Sequence, residues 1–485
     1  MPFNAIPVGL RVVVTDIVAA PFRIHSYMSN FFEHLVSSAW NRLRDWRKAP
    51  REEHSGISLG AIVVDGAVSA RRFSLSCARR TTHIAVLGKT GSGKSSLLRS
   101  MARQDIAAGR GFVWFDLHGD ATPFLLATIA EEERRIERNL ADRVVLIAPA
   151  DPEVSVGFNP LEAASPDFVR IAEFATLLKV RWNLDHFGAR TDELLRNALY
   201  VLAANQMTLL ELGPLLTEDA FRTACLKRVP NAEIRHYFAS RYGAQSEPMR
   251  AVMREPILNK TSAFTANPHF RHIVGQKLST FSIQEAMDRG YWVIADLDKG
   301  RLGEQAFTLA GLLFAVLKHA LFTRERRALF SIYADEMQNY ADPGTGIETM
   351  LSEARKFGVS IVSANQYFEQ FPATMRAAIL SVGTHIFFQL SSSDAVTVSQ
   401  ALDGGKALAE RLKNLPQRHF IAKSGGDHWT EVAAHTVRDP KGSYADLLRR
   451  VRTHGARPRA EVEREIEERQ AAAHRAHDEV LHGWD

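Results

Sequence analysis

The octapeptide Gly88-Lys-Thr-Gly-Ser-Gly-Lys94-Ser95 constrains this chain more than any other stretch. It matches G-x-x-x-x-G-K-S/T in full. Gly88, Gly91 and Gly93 let the backbone curl so that successive N–H groups point inward and cradle an anion. The flanks agree with this reading. Ile84–Leu87 is a short apolar run of the kind that forms a buried strand, and Ser95–Ala108 reads as a helix stopped by Gly109. The helix start adds the positive end of its dipole. Lys94 is expected to reach the β- and γ-phosphates of a nucleotide, and the Ser95 hydroxyl to ligate Mg²⁺. The expected binding loop is Gly88, Lys89, Thr90, Gly91, Ser92, Gly93, Lys94, Ser95 and Ser96. A lysine in the loop argues against a dinucleotide-binding fold. No LSGGQ-like signature follows the loop, which argues against an ABC-type ATPase.

The rest of the chain fits around that element. Short runs without a polar face recur at Phe112–Phe115, Val144–Ile147, Trp292–Leu297, Leu329–Ala334, Ser360–Ala364, Ile386–Leu390 and His419–Lys423. Strands buried on both faces look like this, as in a parallel sheet with helices such as Glu304–Arg324 over it. Residues 57–76 read as a β-hairpin turning at Asp65-Gly66. The strand rhythm stops between about 160 and 288, where helical patterns such as Asp192–Asn205 and Ile283–Arg289 dominate. The expected fold is therefore α/β: a RecA-like P-loop core with a mostly parallel sheet and an inserted all-α subdomain. The expected boundaries are an N-terminal helical segment (1–55), the first part of the core with its hairpin (56–159), the insertion (160–288), the second part of the core (289–440) and a charged C-terminal helix or tail (441–485). Within the first segment, Met28 to Trp46 forms an apolar stripe ending in basic residues, a helix packed on its own domain or lying on a partner or membrane surface. Glu461–Arg469 reads as a solvated helix or frayed tail.

Composition bounds the setting. The 485 residues carry 60 Lys+Arg against 55 Asp+Glu, a net charge of +5, which permits nucleic-acid binding without demanding it. Two cysteines, Cys77 and Cys225, cannot build a disulfide framework. The longest apolar candidate, Phe307 to Phe322, is interrupted by Lys318 and His319, so no membrane-spanning helix is expected. The first 30 residues lack a signal-peptide pattern. The expected location is cytoplasmic, peripheral to the inner membrane at most.

A phosphate-binding loop needs an acid at the end of a neighbouring buried strand. Leu329-Phe-Ser-Ile-Tyr-Ala-Asp335-Glu336 supplies it. Asp335 is expected to hold Mg²⁺, directly or through water, and Glu336 to polarise the attacking water. Asp116 is the competing acid, with His118 after it reading as a turn residue. Gln366, just past Ser360–Ala364, could sense the γ-phosphate or the water. Arg355 precedes that strand and reads first as a surface arginine.

Taken together, these residues resemble the HerA/FtsK superfamily of P-loop motors, and most closely its TraG/TraD-like coupling proteins, the DNA-transfer ATPases of type IV secretion. The resemblance rests on HIAVLGKTGSGKSS (83–96), GFVWFDLHGD (111–120), VGFNPLE (156–162), YWVIADLDKGRLGEQ (291–305), SIYADEMQNY (331–340) and SEARKFGVSIVSANQ (352–366). It covers about residues 56–435. It implies ATP and Mg²⁺ as cofactors, a hexameric ring around DNA, and ATP between subunits. Lys94, Ser95, Asp335, Glu336 and Gln366 match the family's site, and Arg355 matches the arginine offered across the subunit boundary. The implied partners are DNA, held by its phosphates without sequence preference, further copies of the chain, and a relaxase, a secretion-system component or a nuclease. Membrane-anchored coupling proteins carry N-terminal transmembrane helices, and none is expected in this chain. The alternatives are a secretion-assembly ATPase with no DNA in its pore, and an ATP-gated ring scaffold that activates a partner such as a nuclease. Candidate DNA contacts are Arg324, Arg326 and Arg327, and Lys406, Arg411, Lys413 and Arg418; each taken singly reads first as part of a solvated helix face.

Overall fold

The computed structural model describes residues 56–482, apart from 163–167, 182–183, 185–187, 341–345 and 372. The Met28–Trp46 stripe lies outside the described residues. In chain order the strands are β1 Ile57–Val64, β2 Ala67–Leu75, β3 Ile84–Leu87, β4 Gly111–Asp116, β5 Val144–Ile147, β6 Val154–Ser155, β7 Trp292–Asp296, β8 Phe330–Asp335, β9 Val359–Asn365, β10 Thr384–Phe387, β11 His419–Ser424, β12 Thr430–Ala434 and β13 Arg457–Pro458. Eleven of them form one sheet in the order β2-β1-β12-β11-β10-β3-β9-β8-β4-β7-β5, and β6 pairs with β13 separately. From β10 to β5 every pairing is parallel. From β10 to β2 every pairing is antiparallel.

The apolar runs explain the parallel half. Every residue of β3 and β4 is buried, as expected for strands covered on both faces. Side-chain alternation divides them between two cores. Ala85, Leu87, Val113 and Phe115 belong to one cluster, while Ile84, Val86, Phe112 and Trp114 belong to the other. The helix Lys94–Ala107 and the helix Ala121–Ile136 pack on the second face through Leu97, Leu98, Leu125 and Ile129. The helices between β6 and β7 bury Leu194, Leu199 and Phe270 in the first cluster, on the opposite face. This helical segment leaves after edge strand β5 and returns into β7 beside it, with Val144 opposite Trp292. The apolar helix Gln305–Thr323 is long enough to cross a membrane by length and composition. Here it is a core helix: Leu309, Leu313 and Leu317 are buried in the first cluster, and Lys318 pairs with Glu173 at 3.0 Å.

Three features differ from the sequence reading. Strand β12 was missed, because within Thr430–Ala434 only Val432 is buried. The strand expected at Ile386–Leu390 is Thr384–Phe387; Phe388 and Gln389 run on beside the loop that follows β3, where the Phe388 N–H donates to Leu87 O and Lys89 N–H donates to Gln389 O. The charged C-terminal stretch is not fully solvated. Its helix Arg459–His482 buries Val462 and Ile466 against Leu210, and Glu463 accepts from Arg271 at 3.1 Å and from His272 at 2.6 Å. The hairpin turn is as expected, with both Asp65 and Gly66 at positive φ.

A fully buried ion pair ties the short helix Cys77–Arg80, just ahead of β3, to helix Lys94–Ala107. Arg80 donates through Nη1 and Nη2 to the two oxygens of Asp105 at 2.7 Å each. Both side chains are entirely removed from water. Asp105 lies near the end of helix Lys94–Ala107 and also accepts from Tyr333 Oη of β8 at 2.7 Å and from Arg110 Nε at 2.7 Å. Burial raises the Asp105 pKa, but the charges and hydrogen bonds of Arg80 and Arg110 outweigh it and hold the carboxyl below its ordinary value. Removing one partner strands a buried charge, which costs about 3–5 kcal/mol. Arg80→Met is therefore expected to lower unfolding free energy by about that amount in urea titrations, and the Arg80→Met/Asp105→Leu pair to recover most of it. Equal loss in both variants would show that the pair is not what the fold requires there.

Candidate active site

The loop after β3 is built against the neighbouring strand ends. Gly91 and Gly93 sit at φ 76° and 120°, where side chains are disfavoured. Gly88 is fixed by space instead: a Cβ there would lie 2.5 Å from Phe388 Cβ. The loop is also stitched down by its backbone. Gly88 N–H donates to Asn365 O of β9, and Arg418 N–H donates to Ser92 O at 2.9 Å. No side chain caps helix Lys94–Ala107, so its first N–H groups remain available to an anion.

Lys94 is buried and curls back on the loop, donating to Gly88 O at 2.6 Å and Lys89 O at 3.1 Å. Removal from water lowers its pKa, opposed by the carboxylates of Asp335 and Glu336. Those carboxylates lie at the end of β8, separated from β3 by β9. Ser95 Oγ donates to Asp335 Oδ2 at 3.3 Å. Gln366, one residue past β9, fills the gap between loop and acids. Its Nε2 donates to Glu336 Oε1 at 3.2 Å, and its Oε1 accepts from Thr90 Oγ1 at 3.1 Å. The strand order thus brings Lys94, Ser95, Asp335, Glu336 and Gln366 together.

Glu336 is held from several sides. It sits at φ 50°, turning the chain sharply out of β8. Asn339 Nδ2 donates to its Oε2 at 3.1 Å, and His118 Nε2 lies 3.5 Å from the same oxygen. Asn339 escaped the sequence reading, although its place three residues after Glu336 is compatible with a local side-chain bond. His118 does more than turn the chain after β4. The competing acid, Asp116, is fully engaged. Its oxygens accept from the N–H groups of Gly119 (3.0 Å), Ala121 (3.1 Å) and Thr122 (2.7 Å) and from Thr122 Oγ1 (2.8 Å). That makes it the anchor for helix Ala121–Ile136.

Arg355 is not part of this cluster. It lies in the turn Ala354–Phe357 ahead of β9, whereas Gln366 follows β9. The seven residues of β9 put roughly 20 Å between those ends. Arg355 is exposed, and among the described residues its side chain has no hydrogen-bond or ion-pair partner. Of the candidate DNA contacts, Arg324 is buried and donates to the carbonyls of Met287, Ala328 and Phe357. Arg411 is committed to Glu431 through two hydrogen bonds at 2.7 and 2.6 Å, and Lys413 pairs with Glu410. Arg324 is thereby fixed inside the fold, whereas Arg411 and Lys413 remain part-exposed.

Ser95 and Asp335 fit a magnesium ion. Adjacent oxygens in an octahedral shell with bonds of 2.0–2.1 Å lie about 2.9 Å apart, close to the 3.3 Å between Ser95 Oγ and Asp335 Oδ2. Among the described residues no group of three or more His, Cys, Asp or Glu could hold a metal. Waters and phosphate oxygens must complete such a shell, as is usual for Mg²⁺. Removal from water raises the Asp335 pKa to about 6; Lys94 opposes this rise and Glu336 adds to it. A carboxyl with a raised folded-state pKa binds its proton more tightly folded than unfolded, so ionising it costs stability as pH rises through about 6. Asp335→Asn is expected to raise the Tm at pH 7.5 without Mg²⁺, and the gain to vanish toward pH 4. Thermal melts across that range check it; a lower Tm at pH 7.5 contradicts it.

Comparison with known proteins bears on the fold. Residues 69–217 match the family model of the HerA helicase central domain. No curated protein sequence matches the chain. Among solved structures, the plasmid coupling protein TrwB in complex with the GTP analogue GDPNP superposes with a TM-score of 0.57 at 16% identity, covering 81% of this chain and 98% of that one. TrwB in complex with ADP and Mg²⁺ gives the same TM-score and identity over 81% and 98%. VirB4 of Thermoanaerobacter pseudethanolicus gives 0.51 at 16% identity over 82% and 99%. At such identity the likeness is one of fold.

Proposed function

We propose that the chain is a DNA-translocating ATPase of a conjugative or secretion-type system, working as a ring, with a P-loop ATPase core of the HerA/FtsK type. One observation carries the reading: Lys94, Ser95, Asp335, Glu336 and Gln366 form a linked polar cluster at the ends of three neighbouring strands. The triphosphate of ATP curls into loop 88–95, where loop N–H groups and the uncapped helix start receive it. Lys94 exchanges the carbonyls of Gly88 and Lys89 for β- and γ-phosphate oxygens. Ser95 and Asp335 would hold Mg²⁺, which would offset the charge on those oxygens. Glu336 accepts a hydrogen bond from a water and aims it at the γ-phosphorus, in line with the departing ADP. Gln366 links Glu336 to Thr90, so the base and the loop move as one. Arg355, beyond reach of its own subunit's loop, serves the nucleotide of the next copy in the ring.

Lys94→Ala is expected to abolish ATP binding. Glu336→Gln is expected to retain binding while turnover falls by about 100-fold or more. Calorimetry and phosphate release check both, and normal turnover in Glu336→Gln would assign the base elsewhere. The motor reading further requires that ATP turnover rise severalfold with added DNA. A rate that stays flat across DNA concentrations would leave a secretion-assembly ATPase without DNA, or a ring scaffold, in its place.

A further inference from the structure

The acidic pair and Gln366 sit on β8 and β9, to one side of the phosphate loop. They fix where the γ-phosphate must lie. The opposite flank of the loop, toward β10 and β11, has no role in the chemistry above, yet it is closely attached. The segment entering β11 grips the loop twice: Gln417 Nε2 donates to Gly91 O at 3.1 Å, and Arg418 N–H donates to Ser92 O at 2.9 Å. Ala434 N–H of β12 donates to Arg418 O at 2.8 Å and holds that segment in turn. Arg418 sits at φ 64°, a left-handed conformation that a side chain rarely adopts. Its side chain packs on the loop: a Cβ placed at Gly93 would lie 3.5 Å from Arg418 Cγ. Arg418 is exposed, and among the described residues its guanidinium has no hydrogen-bond or ion-pair partner.

That arrangement is costly for a solvated arginine. The chain accepts an unfavourable backbone conformation and leaves a cation unpaired at the lip of an anion-binding loop. With the γ-phosphate on the β8 and β9 side, a nucleotide whose phosphates fill the loop directs its nucleoside out over the opposite lip. A guanidinium is planar, weakly hydrated and stacks on aromatic faces. We propose that Arg418 is a nucleotide-binding residue that covers the base of the bound nucleoside triphosphate, with Gln417 and the Ser92 contact fixing its position. The proposal rests on the reading of loop 88–95 as the triphosphate site. It reassigns Arg418 from a candidate DNA contact to a ligand of the nucleotide.

The test separates the base from the phosphates. Glycine tolerates φ 64°, so Arg418→Gly removes the guanidinium and keeps the backbone bond to Ser92. Calorimetric Kd values for ATP, ADP and inorganic tripolyphosphate are measured on wild type, Arg418→Gly, Arg418→Lys and Lys94→Ala. Arg418→Gly is expected to weaken ATP and ADP by about tenfold and to leave tripolyphosphate within about twofold. Arg418→Lys, which keeps charge but not the plane, is expected to stay weak for ATP. Equal loss for tripolyphosphate, no loss for ATP, or full rescue by lysine would overturn the proposal. Tight ATP binding by Lys94→Ala would instead overturn the loop reading, and that result is distinct from all of these.

Discussion

The buried pair between Arg80 and Asp105 sets the frame on which the site depends. It joins the turn before β3, the far end of the helix that begins in the phosphate loop, and Tyr333 in the middle of β8. The loop and the acidic pair lie on strands that do not touch, since β9 runs between them. Their spacing therefore cannot be set by a direct strand pairing. It is set by β9 and by this network beneath the sheet. Two charges removed from water are tolerable because each is met by hydrogen bonds in good geometry. Little sliding of the helix against β8 is compatible with them, and Ser95 is kept near Asp335 at the helix's other end.

The sheet also separates two kinds of traffic. The phosphate-loop helix lies on one face, while the helical segment between β6 and β7 lies on the other and shares a continuous apolar cluster with the strands. Change at the strand ends can reach that segment through the sheet and its flanking helices. The C-terminal helix adds a second link. Arg459 donates to Pro149 O near the end of β5, while Glu463 binds Arg271 and His272 of the helical segment. In the proposed motor these paths connect hydrolysis to whatever the helical segment grips, while Arg355 lies exposed at the opposite end of β9 from the site.

Much of this was legible in the sequence, for identifiable reasons. Strands buried on both faces leave uninterrupted apolar runs, so β3 and β5 emerge with their ends correct. The loop is legible because its glycines and lysine have no substitute, and the acids because a charge ending an apolar run is conspicuous. What escaped depends on partners distant in sequence. Strand β12 shows only one buried residue and takes its structure from β1 and β11. Arg80 looks like one more cation beside Arg79, and only the return of Asp105 and Tyr333 to the same spot makes it internal. Arg324 and Arg411 read as surface charge for the same reason. Val462 and Ile466 are two apolar residues in a highly charged stretch, too few to betray a docked face. Arg418 could be noticed as basic, but its place beside Gly93 follows from the sheet order alone.

Loop 88–95 and the ends of β8 and β9 are proposed to form one site for ATP hydrolysis. A structure of Glu336→Gln with ATP and Mg²⁺ tests it most directly. The β- and γ-phosphates are expected inside the loop, with the Lys94 ammonium moved from the Gly88 carbonyl onto them and the ion between Ser95 and Asp335. Nucleotide bound elsewhere, or Lys94 still on the Gly88 carbonyl with ATP present, would contradict it.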